Sequence, residues 1–327
     1  MLSLLRATLA DEPVKEIYTL ADLKDWKKAT RNVDPPIRLG VFGDPVAHSL
    51  SPKMQNAALR HCQIEMQYAC FQIAPEELET AVRLVPELEF VGVNLTIPHK
   101  IPALAIMDEL HSNARDIGAV NTVVVRDRKL IGDNTGGPGF ARAIRSEFSM
   151  DLRDLRVMLL GAGGGAGRAI ARQCALENCE RLVLVNRTFD KAKGMVSELA
   201  RFFSGPRVLG PVARLEAVPW EERALRTQLE QIDLVVNATS LGLNRNDPPA
   251  LASSLLAPHL MVYDMIYSSG NTPLVAAANG VGARSANGSS CRDRWRTAGH
   301  DRAANRLPLC GSLSVRAGGL PRRASAR

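Results

Sequence analysis

The stretch from Val157 to Thr188, VMLLGAGGGAGRAIARQCALENCERLVLVNRT, constrains the fold of this chain most. It opens on Val157-Met158-Leu159-Leu160, an unbroken apolar run of the kind a strand buried on both faces shows. A glycine cluster, Gly161-Ala162-Gly163-Gly164-Gly165-Ala166-Gly167, follows at once. A helical pattern then places Ala166, Ile170, Ala171, Cys174 and Ala175 on one face, and the apolar run Leu182-Val183-Leu184-Val185 closes the unit. Strand, tight turn, helix and parallel strand predict a βαβ unit. The spacing Gly161-x-Gly163-x-x-Ala166 fits the dinucleotide fingerprint in its G-x-G-x-x-A form. Gly161 permits the tight turn, Gly163 lets the backbone approach a pyrophosphate, and a small Ala166 allows close helix–sheet packing. The helix N-terminus, reached through Ala162, Gly164 and Gly165, offers free N–H groups and a positive dipole end to the phosphates.

The end of the second strand selects between nucleotides. NAD sites place a carboxylate there for the ribose 2′-hydroxyl. This chain reads Asn186-Arg187-Thr188, with no carboxylate before Asp190. The planar fork of an arginine binds a 2′-phosphate bidentately, and Lys191 adds a second positive charge, so NADP is the expected cofactor. The bland alternative is a solvated strand-to-helix turn with Thr188 as its N-cap.

The chain of 327 residues is long enough for two domains with their own cores. It has no apolar run long enough for a membrane span, and its start is too short and too soon acidic for a signal peptide. Six cysteines lie scattered without metal-ligand spacing, which fits reduced thiols in the cytoplasm. Of 41 basic and 34 acidic side chains, nine arginines and two aspartates fall in residues 289–327, so the rest of the chain is neutral. A neutral body gives no electrostatic case for nucleic-acid binding.

Read in order, residues 1–36 look like a polar helical leader with a sparse apolar stripe at Leu20, Leu23 and Trp26. A first α/β domain is expected over 37–138. Its strands cover Arg38–Gly43, Tyr68–Ile73 and Val91–Thr96, and a hairpin covers Val120–Val125 and Leu130–Ile131. Ser51-Pro52 reads as an N-cap with proline at the first helical position. The glycine-rich stretch from Gly132 to Gly139 reads as a hinge into a second domain, 139–288, of Rossmann type. Further buried strands there end in the polar turns Asn237-Ala238-Thr239-Ser240 and Asp264-Met265-Ile266-Tyr267. Open α/β sheets bind ligands at such strand ends.

Seven polar motifs stand in one order. They are Ser49-Leu50-Ser51-Pro52, Asn94-Leu95-Thr96-Ile97-Pro98-His99-Lys100, Gly118-Ala119-Val120-Asn121-Thr122, Asn134-Thr135-x-Gly137, Asn186-Arg187-Thr188, Asn237-Ala238-Thr239-Ser240 and Asp264-Met265-Ile266-Tyr267. As a set, over about residues 37–288, they resemble the shikimate dehydrogenase family. The resemblance implies an N-terminal substrate domain, a Rossmann-type NADP domain and a cleft between them. It implies reversible NADPH-dependent reduction of 3-dehydroshikimate to shikimate, in aromatic amino acid biosynthesis, by a cytoplasmic monomer or homodimer. By that match Ser49 and Ser51 bind the substrate carboxylate, Asn94, Thr96 and Asn121 bind its hydroxyls, and Tyr267 also touches it. Lys100 matches the general acid/base, whereas taken alone it would read as a solvated lysine at a helix start. His99 reads as structural. Gly161 to Gly165, Asn186, Arg187, Thr188, Lys191 and Thr239 fall to the cofactor, with Met265 and Gly288 bordering the nicotinamide. No metal, membrane or nucleic-acid partner is expected.

Two departures separate the chain from the family pattern. The family motif Asn-Thr-Asp-Gly reads Asn134-Thr135-Gly136-Gly137 here, so a carboxylate that contacts substrate hydroxyls and neighbours the lysine is missing. After Gly288 the family continues with an apolar helix, whereas residues 289–327 are arginine-rich and lack lysine and glutamate. Such composition fits a disordered tail or a shifted reading frame in a GC-rich gene. A quinate/shikimate dehydrogenase of broader specificity and a catalytically silent NADP-binding homologue are the alternatives.

Overall fold

The computed structural model describes residues 15–47, 49–204, 213–244, 246–266 and 270–288. Tyr267 and the arginine-rich segment 289–327 lie outside the described residues. The chain divides into two compact units between Asn134 and Thr135.

The first unit holds a seven-stranded sheet. Its strands are β1 (Ile17–Thr19), β2 (Ile37–Gly43), β3 (Gln67–Gln72), β4 (Gly92–Leu95), β5 (Glu109–Leu110), β6 (Thr122–Arg126) and β7 (Lys129–Asp133). They lie side by side in the order β1-β3-β2-β4-β6-β7-β5. The first four run parallel, while β6 is antiparallel to both its neighbours. The β6–β7 hairpin turns on Asp127 and Arg128, whose φ angles of 52° and 63° suit a tight turn that follows the twist of the strands.

Of the leader expected over residues 1–36, residues 1–14 lie outside the described residues, and the rest is part of this unit. β1 pairs with β3, and Tyr18, Leu20, Leu23 and Trp26 are buried in the main core of this unit. The Tyr18 ring lies 5.5 Å from that of Phe71, and Trp26 lies 5.3 Å from Phe90. A three-residue strand is too short to display alternation, and its partner β3 is distant along the chain. The apolar stripe at Leu20, Leu23 and Trp26 is the part of this segment that the sequence displays.

The second unit is a six-stranded sheet of β8 (Arg156–Leu160), β9 (Arg181–Val185), β10 (Leu215–Val218), β11 (Leu234–Asn237), β12 (Met261–Asp264) and β13 (Arg284–Asn287). All pairings are parallel, in the order β10-β9-β8-β11-β12-β13. Numbered within the sheet this is the 3-2-1-4-5-6 order of the Rossmann fold. The unbroken apolar runs now have their reason. Val157, Leu159, Leu182, Leu184 and Val236 point into one core with Phe140, Ile144 and Phe148 of the helix Gly136–Phe148. Met158, Leu160, Val183, Val185 and Val235 point into a second core with Leu225, Leu229 and Leu274. Both faces are covered, so each strand position gains about 1.5–3 kcal/mol from burial and none needs to be polar.

The sequence boundary at 138/139 falls inside the helix Gly136–Phe148, so residues 136–138 belong to the second unit. Pro138 sits in its first turn, where a missing N–H costs no intrahelical bond. Gly137 is there for packing. A Cβ on it would lie 2.9 Å from Gln173 Oε1 and 3.1 Å from the Ala169 carbonyl oxygen of the neighbouring helix.

Candidate active site

In the first unit the polar residues gather where β2 and β4 end. Asn94 lies in register with Val41 of β2 and Thr122 of β6, and Thr122 with Asp133 of β7. The Tyr68 hydroxyl donates to Asn94 Oδ1 at 2.8 Å, and Asn94 Nδ2 donates to the Asn121 carbonyl oxygen at 3.3 Å and to Thr122 Oγ1 at 3.2 Å. Thr122 Oγ1 donates to Asn121 Oδ1 at 2.9 Å. Asn94 therefore keeps one acceptor lone pair for a ligand, its two donors being engaged. Thr96 follows β4, and its methyl lies where a Cβ on Gly43 would be, so glycine at 43 makes room for it. Tyr68 and Thr122 are not legible as site residues in the sequence, because each reads as an ordinary strand position.

Ser51 is not the N-cap that Ser51-Pro52 suggests. It is the first residue of the helix Ser51–His61, and Leu50 holds the cap position. Ser49 Oγ accepts from the Ser51 backbone N–H at 3.3 Å, so the upstream serine satisfies a helix-start donor.

Lys100 stands in the turn after β4, which is tied down from several sides. The Lys100 carbonyl accepts from Val120 N at 2.7 Å, and His99 N donates to the Thr96 carbonyl at 2.9 Å. Lys100 is half-buried, and loss of solvent around its ammonium pushes its pKa below the ordinary lysine value. His99 is fully buried, with Nε2 2.9 Å from the Ile73 carbonyl oxygen, and its burial likewise lowers its pKa. The geometry calls for a neutral imidazole that donates through Nε2. Asp133, next in sequence to the Asn134-Thr135-Gly136-Gly137 motif, accepts from the Asn134 N–H at 2.7 Å and lies 3.2 Å from His111 Nδ1.

The pKa of His99 gives stability a pH dependence whose sign is fixed. The folded value is depressed, so below about pH 6.5 the unfolded chain takes up a proton that the folded chain refuses. Stability is then lost as pH falls through that value. His99→Gln keeps a donor for Ile73 and removes the titration. Urea midpoints should fall more for the parent than for the variant between pH 7.5 and 5.5. Parallel curves would contradict the assignment.

In the second unit every residue expected at the cofactor lies at the carboxyl end of the parallel sheet. The glycine turn follows β8, Asn186 and Arg187 follow β9, Thr239 follows β11, Met265 follows β12 and Gly288 follows β13. Gly161 and Gly163 have φ angles of +89° and +110°, which L side chains rarely adopt. The close approach assigned to Ala166 belongs instead to Gly167. A Cβ on Gly167 would collide with the Gly161 carbonyl oxygen, while Ala166 is half-buried. The helix begins at Gly165, and that phase turns residue 167 toward the strand. A Cβ on Gly164 would meet nothing nearer than 3.7 Å, so the turn is open beside first-turn N–H groups that have no acceptor within the helix. Such a cradle fits a pyrophosphate.

Beside it, Asn186 Nδ2 donates to the Ala162 carbonyl at 2.7 Å and Asn186 Oδ1 accepts from Thr188 N at 2.9 Å. Thr188 occupies the N-cap position of the helix Phe189–Leu199, without a side-chain capping bond. Lys191 is adjacent, its Cβ 3.0 Å from where a Cβ on Gly163 would stand. Asp190 pairs with Lys193 at 2.7 Å. Among the described residues no carboxylate pairs with exposed Arg187, which leaves its guanidinium available for a phosphate.

A family model for the shikimate dehydrogenase substrate-binding domain matches residues 41–123. An NADP(+)-type shikimate dehydrogenase of Methanopyrus kandleri is 38% identical over 252 residues, covering 76% of this chain and 84% of its own. The chain belongs to the shikimate dehydrogenase family. Among solved structures, shikimate 5-dehydrogenase from Thermus thermophilus in complex with NADP(H) and shikimate is 34% identical with a TM-score of 0.66. That match covers 77% of this chain and 87% of the other. Quinate dehydrogenase from Corynebacterium glutamicum in complex with NAD is 26% identical with a TM-score of 0.64, covering 76% and 87%. The matched family domain contains Ser49, Ser51, Asn94, Thr96, Lys100 and Asn121, whereas Gly136 lies beyond it.

Proposed function

We propose that this chain carries out the reversible NADPH-dependent reduction of 3-dehydroshikimate to shikimate, with Lys100 as the group that moves the proton. NADPH, when bound, supplies the hydride that the carbonyl carbon gains. The Lys100 ammonium donates a proton to the carbonyl oxygen as that carbon–oxygen double bond becomes a single bond, which completes the alcohol. In the other direction neutral Lys100 accepts the alcohol proton. A lysine whose pKa is lowered by burial is suited to both tasks, and the place of Lys100 in the turn after β4, inside the matched substrate-binding domain, carries the reading. Around it Asn94, Thr96 and Asn121 supply amides and hydroxyls for a small polyol, Ser49 and Ser51 are assigned to its carboxylate, and Tyr267 remains an expected further contact. Gly161 to Gly165 cradle the pyrophosphate of the cofactor.

Arg187, with Asn186, Thr188 and Lys191, is assigned to the 2′-phosphate. Arg187→Ala should shrink the preference for NADP over NAD by about 1–3 kcal/mol, the worth of hydrogen bonds to a charged group. Calorimetric titration checks this, and equal NAD and NADP affinities in the parent would end the assignment. The four described cysteines, Cys62, Cys70, Cys174 and Cys179, are free, and a cytoplasmic setting is the expected one. No helix among the described residues is long and apolar enough to cross a membrane. A monomer or homodimer is expected, a choice that sedimentation decides.

Steady-state oxidation of shikimate and of quinate with NADP tests the whole reading. A clear preference for shikimate supports it, and equal rates favour the broader quinate/shikimate enzyme. Gly136 favours a second reading, a silent NADP-binding homologue, which NADP binding without turnover of either acid would establish.

A further inference from the structure

The carboxyl ends of β11 and β12 hold a buried polar cluster to which the roles above give no task. Asn237 and Asp264 are fully buried and Thr272 is 1% exposed. The Asp264 carboxylate accepts three hydrogen bonds, from Asn237 Nδ2 at 3.0 Å, from Ile266 N at 3.0 Å and from Thr272 Oγ1 at 2.6 Å. Asn237 Oδ1 in turn accepts from Thr239 N at 3.0 Å and from Thr239 Oγ1 at 2.7 Å. Thr239 Oγ1 accepts from Leu241 N at 3.0 Å. The donors Leu241 N, Thr239 Oγ1 and Asn237 Nδ2 lead in turn toward Asp264, while the second Nδ2 proton of Asn237 goes to the Leu241 carbonyl at 3.1 Å. A carboxylate that only accepts sets that direction, and it settles which way the Asn237 amide faces. Burial raises the pKa of Asp264, and its three donors work against that rise.

The main chain extends the same ties. Met265 N donates to the Asn237 carbonyl at 2.9 Å, and Gly288 N to the Asp264 carbonyl at 3.0 Å. Thr239, Met265 and Gly288, three residues assigned to the cofactor, are thus each bonded to Asn237 or Asp264. The Thr239 hydroxyl is committed inward, and its methyl lies 2.8 Å from where a Cβ on Gly161 would stand. What Thr239 offers a ligand is therefore its placement and not its hydroxyl proton.

We infer that Asp264 is a positioning residue for the nicotinamide half of the cofactor. By accepting from Asn237, Ile266 and Thr272 it holds the turns after β11 and β12, on which Thr239 and Met265 stand. This rests on the reading that the chain binds NADP. A merely structural carboxylate would affect every ligand alike, whereas a positioning one separates the two halves of the nucleotide.

The test titrates NADP and adenosine 2′,5′-bisphosphate, which carries the adenosine and the 2′-phosphate but no nicotinamide. Asp264→Ala should weaken NADP by about tenfold or more, the effect of one lost charge-assisted hydrogen bond, while bisphosphate affinity stays within about twofold. Asp264→Asn should restore most of the loss, because its amide oxygen still accepts from Asn237 and Ile266 and the Thr272 hydroxyl can turn to accept. Thr239→Val keeps the shape and cuts the string, so it should show the same split and decides the matter where Asp264→Ala does not fold. Parent-like NADP affinity in both Asp264→Ala and Thr239→Val overturns the inference, as does an equal loss of both ligands. A parent that binds neither ligand overturns the cofactor reading as well. A parent that binds both, beside variants that match it, overturns the positioning role alone.

Discussion

Lys100→Met should lower kcat in both directions by about 10²–10⁴-fold, the usual worth of a positioned acid or base. NADP affinity should be unchanged, because the glycine turn and Arg187 belong to the other unit of the chain. The pH profile gives a sharper signature. Reduction needs Lys100 protonated, so its rate falls as pH rises through the lysine pKa. Oxidation needs Lys100 neutral, so its rate rises through the same value. Burial depresses that pKa, and both limbs should therefore lie below the range of a free lysine. Lys100→Met should abolish both limbs along with most of the rate. A variant that keeps the parent pH profile would show that another group moves the proton.

Gly136→Asp should raise kcat/KM for shikimate by at least about a hundredfold. Restoring a carboxylate acceptor for substrate hydroxyls recovers about 1.5–3 kcal/mol, and each 1.36 kcal/mol is about tenfold in rate. Participation of the carboxylate in proton transfer adds about 10²–10⁴-fold more. The backbone accepts the change. Gly136 is the first residue of the helix Gly136–Phe148 and is not among the glycines with positive φ. An aspartate there also favours the helix, since a negative charge in the first turn is worth about 0.3–1 kcal/mol. The melting temperature should thus hold or rise while activity increases. Gly136→Asn separates charge from hydrogen bonding. Equal kcat/KM for parent and Gly136→Asp would show that this chain does its chemistry without the carboxylate.

The nucleotide unit is the most legible part of the chain. The apolar runs Val157–Leu160 and Leu182–Val185 have no polar break, which a strand covered on both faces permits and an exposed one does not. The third small position is misplaced by spacing alone because Ala166 completes the pattern, while the phase of a helix starting at Gly165 brings Gly167 against Gly161. In the first unit Asn94, Thr96 and Lys100 stand out through motif order. Tyr68 and Thr122 do not, since a hydroxyl on a strand carries no sign of which asparagine it meets. Asn237 and Asp264 read as strand-ending polar residues. Their joint burial is a product of neighbouring parallel strands, in which Asn237 pairs with Asp264 by register. Gly136-Gly137-Pro138 looks like a hinge because glycine at a helix–helix contact and proline in a first turn share the composition of a loop.

The place of β1 bears on how the margin of its sheet is closed. Among the described residues it is the outermost strand of its sheet, and it shields one side of β3, whose hydrogen-bonding groups would otherwise be open to any passing strand. β1 itself is three residues long, and Lys15, just ahead of its start, holds Asp22 at 2.6 Å just beyond its end. A short edge bordered by charge is a poor template for further strands. The segment that looks like a polar preamble thus works as a stop at the sheet margin, and a version trimmed at Pro36 for convenience would present both that margin and an uncovered Phe71 to its neighbours.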